Sequence, residues 1–275
     1  MALNWNLGEE INDATTAQKK AWAEYLWNHD PYKHHIVCHN GDDHYDLLGP
    51  GSKLTGFSLQ TNKSDFRRVH DQTKNYIDRS VEAGKPWVVA CDEPGDASHG
   101  LITDAEDPAH DNARKNALWG NLMAGGAGVE WYFGYKHPHS DLTCEDWRSR
   151  DLLWDQCRIA LRFFNAYAIP FWAMTPADES SDDASWMLAG SETDGKYTVL
   201  AYLRNGGTSE IDLPAGNYAY GWFNPRTGDG MDALLESGTV KGGKQSFTAP
   251  DNADWILLAV EGNKAPVSNS PAHTP

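Results

Sequence analysis

The hydrophobic pattern of this chain changes period part-way along. Over residues 1–173 short apolar runs alternate with amphipathic stretches. Residues 3–7, 35–39, 56–60, 87–91 and 129–134 read as strands, apolar at successive positions as buried strands are. Thr15 or Thr16 caps a helix running to about Asn28, which puts Trp22, Tyr25 and Leu26 near one face. Ser64 is expected to cap a second helix with Phe66, Val69, Tyr76 and Ile77 as its stripe and Gly84 after its end. Residues 111–123 predict a third helix, stopped by Gly125-Gly126, and residues 146–168 a long fourth. Beyond Pro170 the period shortens. Residues 186–189, 197–203, 219–223, 245–247 and 255–260 predict strands separated by Gly, Asn and Asp turns.

These elements define an α/β plus all-β chain. Residues 1–175 are expected to form an incomplete (β/α)8, TIM-type barrel of about five βα units, and residues 184–262 a small antiparallel β-sandwich. The boundary falls near 174–184, where Pro176 meets an acidic, Ser-rich stretch, and the Pro- and Ser-rich residues 263–275 are expected to be disordered. A closed barrel takes about 250 residues, and five parallel strands leave an edge open. A longer parent protein, a second copy covering the open edge, or an open α/β sheet would each satisfy that count.

Charge narrows the function. The net charge is −16, from 39 acidic and 23 basic residues, which disfavours nucleic acid and anionic lipid as partners. No apolar run reaches the roughly 18–20 residues that span a bilayer. The N-terminus enters a strand at once, without a signal-peptide pattern. Cys38 and Cys91 fall in buried strands and read as small free thiols; Cys144 and Cys157 lie near each other, with nothing in their spacing that requires a bond. No Cys/His spacing suggests zinc, and the loop polarity of His39, His44, Asp42 and Asp43 matches no ligand set, so no metal or other cofactor is expected. There is no GxSxG elbow, phosphate loop or dinucleotide fingerprint.

The chemistry concentrates at strand ends. The run 87–91 stops at Asp92-Glu93 and a Pro-Gly turn, and the run 3–7 is followed by Glu9-Glu10. Carboxylates at the C-terminal ends of parallel strands sit where barrels keep their active sites. Two of them, distant in sequence, suggest the acid/base and nucleophile pair of a glycosidase. The bland alternatives are a salt-bridged loop acid for Glu93 and helix N-terminal acids for Glu9 and Glu10. Trp5 and Trp131 are sugar platforms or core; His39 and Tyr132 are further candidates for substrate contact. His99, His110, His137 and His139 fall in loops able to rim a cleft, and Lys33 and Arg114 answer the acidic excess by ion pairs.

A family resemblance runs through residues 4–10, 30–35, 88–95, 111–120 and 128–134, which together look like the C-terminal part of an apiosidase-like (β/α)8 glycoside hydrolase. Residues 197–203, 221–228 and 255–259 resemble the collagen-binding-type β domain that follows such barrels. The resemblance implies acid/base Glu10, or its neighbour Glu9, after the fourth barrel strand and nucleophile Glu93 after the seventh. Asp92 would tune Glu93. The first three barrel strands have no counterpart here. The expected activity is hydrolysis of O-glycosidic bonds of an oligo- or polysaccharide by a two-carboxylate, retaining mechanism. The alternative is a non-catalytic carbohydrate-binding or scaffold remnant. Secretion is implied by the resemblance alone.

Overall fold

The computed structural model describes residues 4–268 apart from 41, 96, 97, 99, 144, 183, 184, 192–194 and 265. The chain divides into two compact units, residues 1–151 and 152–275.

The first unit is built on a parallel sheet of four strands in sequence order: β1 (Asn4–Asn6), β2 (His35–Asn40), β3 (Gly56–Gln60) and β4 (Val88–Glu93). Helix α1 (Thr16–His29) joins β1 to β2, and α2 (Val69–Glu82) joins β3 to β4. Thr15 closes a full capping box with Gln18, so one of the two expected caps is the one used. The cap expected at Ser64 is not used: α2 starts at Val69 without a side-chain cap, because Phe66 takes a left-handed φ of 58° that no helix continues through. Gly84, at φ 81°, ends α2 as its sequence position implies.

Alternation splits the parallel sheet into two faces. Ile36 and Cys38 of β2, Phe57 and Leu59 of β3, and Val89 and Cys91 of β4 are all buried, between 0 and 1% exposed. Phe57 stacks on Tyr76 of α2 with ring centres 4.1 Å apart, so this is the face the helices cover. Burial in this apolar layer pushes the Cys38 thiol up to about 12. The opposite face carries Val37 and His39, Gly56, Ser58 and Gln60, and the end of β4.

The expected fifth strand is not formed. Residues 129–134 make a single parallel bridge, Cys91 to Val129, and then leave the ladder. The reason is local. Asn121 donates to Thr73 Oγ1 and Val89 O and accepts from the Gly128 N–H, which pins the turn before Val129. Downstream, Asp141 takes the Phe133 and Gly134 N–H groups that a strand would offer to a neighbour. The helix expected at 111–123 is present but irregular, a π segment Ala113–Leu118 leading into α3 (Trp119–Met123).

The second unit begins with α4 (Asp151–Ala166), followed by an antiparallel sheet of six strands. These are β5 (Met174–Pro176), β6 (Ser185–Gly190), β7 (Thr198–Leu203), β8 (Thr208–Phe223), β9 (Leu235–Thr248) and β10 (Trp255–Glu261), ordered β5-β6-β7-β10-β8-β9. The expected sandwich is therefore one hydrogen-bonded sheet rather than two. It curls on itself: register shifts interrupt the β8–β9 pairing after Leu213 and Tyr220, and Ser181 bridges back to Ile211 in the first half of β8. The curl encloses Met187, Val199, Leu203, Ile211, Leu213, Trp222, Phe247 and Leu257 in one apolar cluster. Phe163 of α4 stacks on Phe223 at 4.1 Å, and Tyr167 donates to Gly230 O. Pairing continues into the expected tail as far as Val267, which bridges Ala233. No described helix is long and apolar enough to cross a membrane.

Candidate active site

The polar face of the parallel sheet gathers its reactive side chains at the strand C-termini. In β2 the parity that buries Ile36 and Cys38 on the helix side turns His39 the other way. Ser58 is its partner on β3. A register shift at the end of the β3–β4 ladder pairs Leu59 with Cys91 but Gln60 with Glu93. The extra residue is Asp92. Strict alternation would send Asp92 and Glu93 to opposite faces; the bulge lets both reach the same cluster.

The contacts are continuous. His39 Nε2 lies 3.1 Å from Glu93 Oε2, and His39 Nδ1 lies 3.0 Å from Ser58 Oγ. Ser58 Oγ hydrogen-bonds Asp92 Oδ2. Gln60, the ladder partner of Glu93, donates to Glu10 Oε1 at 3.0 Å. Glu10 itself sits at a left-handed φ of 47°, which ordinary residues seldom adopt. His39 and Glu93 are both buried, at 7% and 6% exposed.

Electrostatics follow from crowding acids into a half-buried site. Burial alone pulls the His39 imidazole down, but the hydrogen bond and charge of Glu93, with Asp92 and Glu9 behind it, outweigh that and hold it above its ordinary value. Asp92 is raised by burial, against the hydrogen bond from Ser58 and the charge of His39. Glu130 is raised by burial and by Asp92. Burial and the neighbouring charges of Glu93 and Asp141 lift Tyr132 to about 12, so it stays a neutral phenol. Burial also raises Asp141, despite the two backbone N–H groups it accepts.

Of the residues singled out from the sequence, Glu93, Asp92, His39 and Tyr132 come together here, with Glu9 acting on His39 and Tyr132 through its charge. Glu10 reaches the cluster through Gln60. Trp5 does not belong to it. Trp5 pairs in register with Ile36, hence on the helix face, and its Nε1–H donates to Asp30 at 3.0 Å. It lines a separate groove of about 630 Å³ with Tyr25, His29, Asp30, Tyr32 and His34. Trp131 is core, 7% exposed, while its neighbours Glu130 and Tyr132 act on the cluster. Ser58, Gln60, Glu130 and Asp141 were not selected from the sequence. A signal existed for the first two, since polar residues alternate with Phe57 and Leu59 in a strand that is buried throughout.

The remaining histidines have local roles. His110 is clamped between Asp104 at 2.8 Å and Asp107 at 3.9 Å. His137 and His139 lie beside Glu106 and Glu145. His44 meets Lys19 and Asn40. Arg114 pairs with Asp111 as its charge suggested, whereas Lys33 reaches the carbonyl of Trp27. His99 and Cys144 lie outside the described residues; Cys38 and Cys91 are free thiols. No cluster suited to a metal ion occurs among the described residues.

The loop that frames the cluster is held by Arg150. Its guanidinium donates to the carbonyls of Leu101, Pro138 and His139 and stacks over Phe133 at 4.4 Å. Gly100 lies so close to Phe133 and Gly134 that a Cβ would meet the Gly134 nitrogen at 2.4 Å, so a side chain there would push this loop away.

This architecture has known counterparts. Residues 176–260 match the family described as "Putative collagen-binding domain of a collagenase". No curated protein matches the chain. Among solved structures it is similar to a glycoside hydrolase at 15% identity and a TM-score of 0.61, covering 93% of this chain and 71% of that one. It is also similar to a pullulanase from Bacillus acidopullulyticus at 12% identity and TM-score 0.52, and to a debranching enzyme from Nostoc punctiforme at 10% and 0.53. The chain covers 93% and 92% of itself in these two likenesses, but only 38% and 57% of those proteins. At such identities the likeness is one of fold: mixed helix and sheet with a parallel and an antiparallel sheet, shared with glycoside hydrolases.

Proposed function

We propose that the chain carries a glycoside hydrolase centre, with β1–β4 as strands of a (β/α)8 barrel. Glu93 is the nucleophile and Glu10 the acid/base, with Glu9 as the alternative donor. The observation that carries this reading is the buried His39–Glu93 pair at the C-terminal end of a parallel sheet, joined through Gln60 to Glu10. A nucleophile must stay ionised, and a neighbouring imidazolium favours that state. The acid needs access to water and substrate, and Glu10 is exposed.

In the proposed reaction Glu10 protonates the leaving oxygen while Glu93 attacks the anomeric carbon. Water, deprotonated by Glu10, then releases the sugar with the stereochemistry retained. Tyr132 offers a neutral hydroxyl to sugar oxygens at the same cluster. The β-sheet unit braces the barrel or holds polymeric substrate. Its family match also supports a protein ligand of the collagen type for residues 176–260.

The test is release of reducing sugar from a panel of plant and microbial polysaccharides and aryl glycosides. Wild type is expected to hydrolyse at least one. Glu10→Gln should retain turnover mainly on activated aryl leaving groups, which need little protonation. If the purified chain binds a polysaccharide and cleaves none, the non-catalytic reading replaces this one. The residues of β1 are exposed, and a second copy packed against that edge would appear as a dimer mass in light scattering.

A further inference from the structure

We propose that Asp92, Ser58 and His39 form a proton-ordered relay that keeps His39 an imidazolium and so fixes Glu93 as the ionised carboxylate, with His39 a positioning residue. The argument is one of counting protons. Ser58 has one hydroxyl proton and two neighbours, Asp92 Oδ2 and His39 Nδ1. An ionised carboxylate only accepts, so the hydroxyl proton goes to Asp92. Ser58 Oγ must then accept from His39, which places a proton on Nδ1. With Glu93 as a carboxylate, which only accepts, a second proton sits on Nε2 across the 3.1 Å contact. A ring with both nitrogens protonated carries a positive charge.

Two arrangements with the same number of protons leave His39 neutral: a proton on Glu93, which is then no nucleophile, or a proton on Asp92, with Ser58 donating to Nδ1. The surroundings favour the charged ring. Glu93 and Asp92 face His39 from β4, Glu9 from the loop after β1, and Glu130 from the segment after Gly128. The hydrogen bond from His39 to Glu93 and the charges of Glu93, Asp92 and Glu9 overcome burial and raise the imidazole above its ordinary value. The bulge at Asp92 is what makes the relay, since without it the second carboxylate would leave the face that bears Ser58.

The relay also predicts how the site switches off. On the alkaline side His39 loses its charge and Glu93 loses its partner. On the acid side Asp92, already raised by burial, takes a proton and is no longer the carboxylate that accepts the Ser58 hydroxyl.

Its catalytic consequence rests on the glycosidase reading, but its physical core does not. The experiment is nitrogen-detected imidazole NMR of the full chain as wild type, Ser58→Ala, Ser58→Thr and Asp92→Asn. Wild type at pH 7 should show both His39 nitrogens protonated. The titration midpoint should fall by about one unit or more in Ser58→Ala and Asp92→Asn, as expected for loss of a close partner, and recover in Ser58→Thr. A neutral His39 ring in wild type at pH 6, or a midpoint unmoved in both deleterious variants, overturns the relay. Where hydrolysis is measurable, the alkaline limb of kcat should move in Ser58→Ala by the same interval with KM little changed; a shifted His39 with an unmoved limb overturns its positioning role. Absence of all hydrolysis removes the proposed function and leaves the NMR result to decide the relay.

Discussion

The two sheets of this protein use their buried positions in opposite ways. The antiparallel sheet encloses an apolar cluster, and its buried polar groups are few and paired, as where Tyr202 donates to Asp254 at 2.8 Å. The parallel sheet is apolar only toward its helices. At its other face it buries His39, Ser58, Gln60 and Glu93. Burying charge costs several kcal/mol unless partners compensate. The raised Asp92, Glu130 and Asp141 show that here compensation is incomplete. One sheet closes over an apolar core, and the other holds a cluster of buried polar and acidic side chains.

That contrast can be broken. The largest expected effect is Glu93→Gln, which should lower kcat by about 10³-fold or more, as loss of a nucleophile does, while the protein stays folded. Wild-type turnover by this variant, measured on the best aryl glycoside, would end the assignment. Next is Leu257→Ala in the antiparallel core. It should cost about 2–5 kcal/mol in denaturant unfolding and leave the His39 ring signals of the folded protein in place. A change in those signals would mean that the two regions are not separable.

A smaller effect of opposite sign is expected at the site. Asp92→Asn removes a carboxylate that burial disfavours in the folded state, so its unfolding midpoint should exceed wild type at pH 8. The difference should vanish near pH 3, where Asp92 is protonated in both states. A midpoint lower than wild type at pH 8 would show that the Ser58 contact outweighs burial.

The smallest effect is the pH slope. His39, Asp92, Glu130 and Asp141 all have raised values in the folded state. Their stabilisation is complete below the unfolded values, about 4 for the carboxyls and about 6.5 for the imidazole, and is lost as pH climbs through the folded values. Stability should therefore fall from pH 5 to pH 8, with the part above about 6.5 flattened in His39→Gln. Asp30 works the other way. Burial would raise it, but Trp5 Nε1–H, the backbone N–H groups of His34 and Tyr32, and the His34 ring hold it well below the carboxylate range, so its contribution is full above about pH 4 and is lost as pH falls from there.

What was legible follows from period and punctuation. Apolar runs located β2, β3 and β4, the Thr15-Thr16 pair the start of α1, and Gly84 the end of α2. Residues 129–134 look like a strand in composition, yet the Asp141 carboxylate took the Phe133 and Gly134 N–H groups. Strands β8 and β9 are far longer than their apolar cores, because much of their length alternates or is polar and only cross-strand pairing reveals it. At the site, strand-end carboxylates were visible as a pattern, but Trp5 and Trp131 were ambiguous because an indole serves a core as well as a sugar.

The sequence alone determined that two kinds of sheet would form and that acids would gather at strand ends, because side-chain period and turn chemistry are local properties. It did not determine which face each acid takes. Only the tertiary structure decided that, through one extra residue in the β3–β4 ladder that lets Asp92 reach Ser58 and Glu93 reach His39. A register shift is a property of two strands together, and no single strand encodes it.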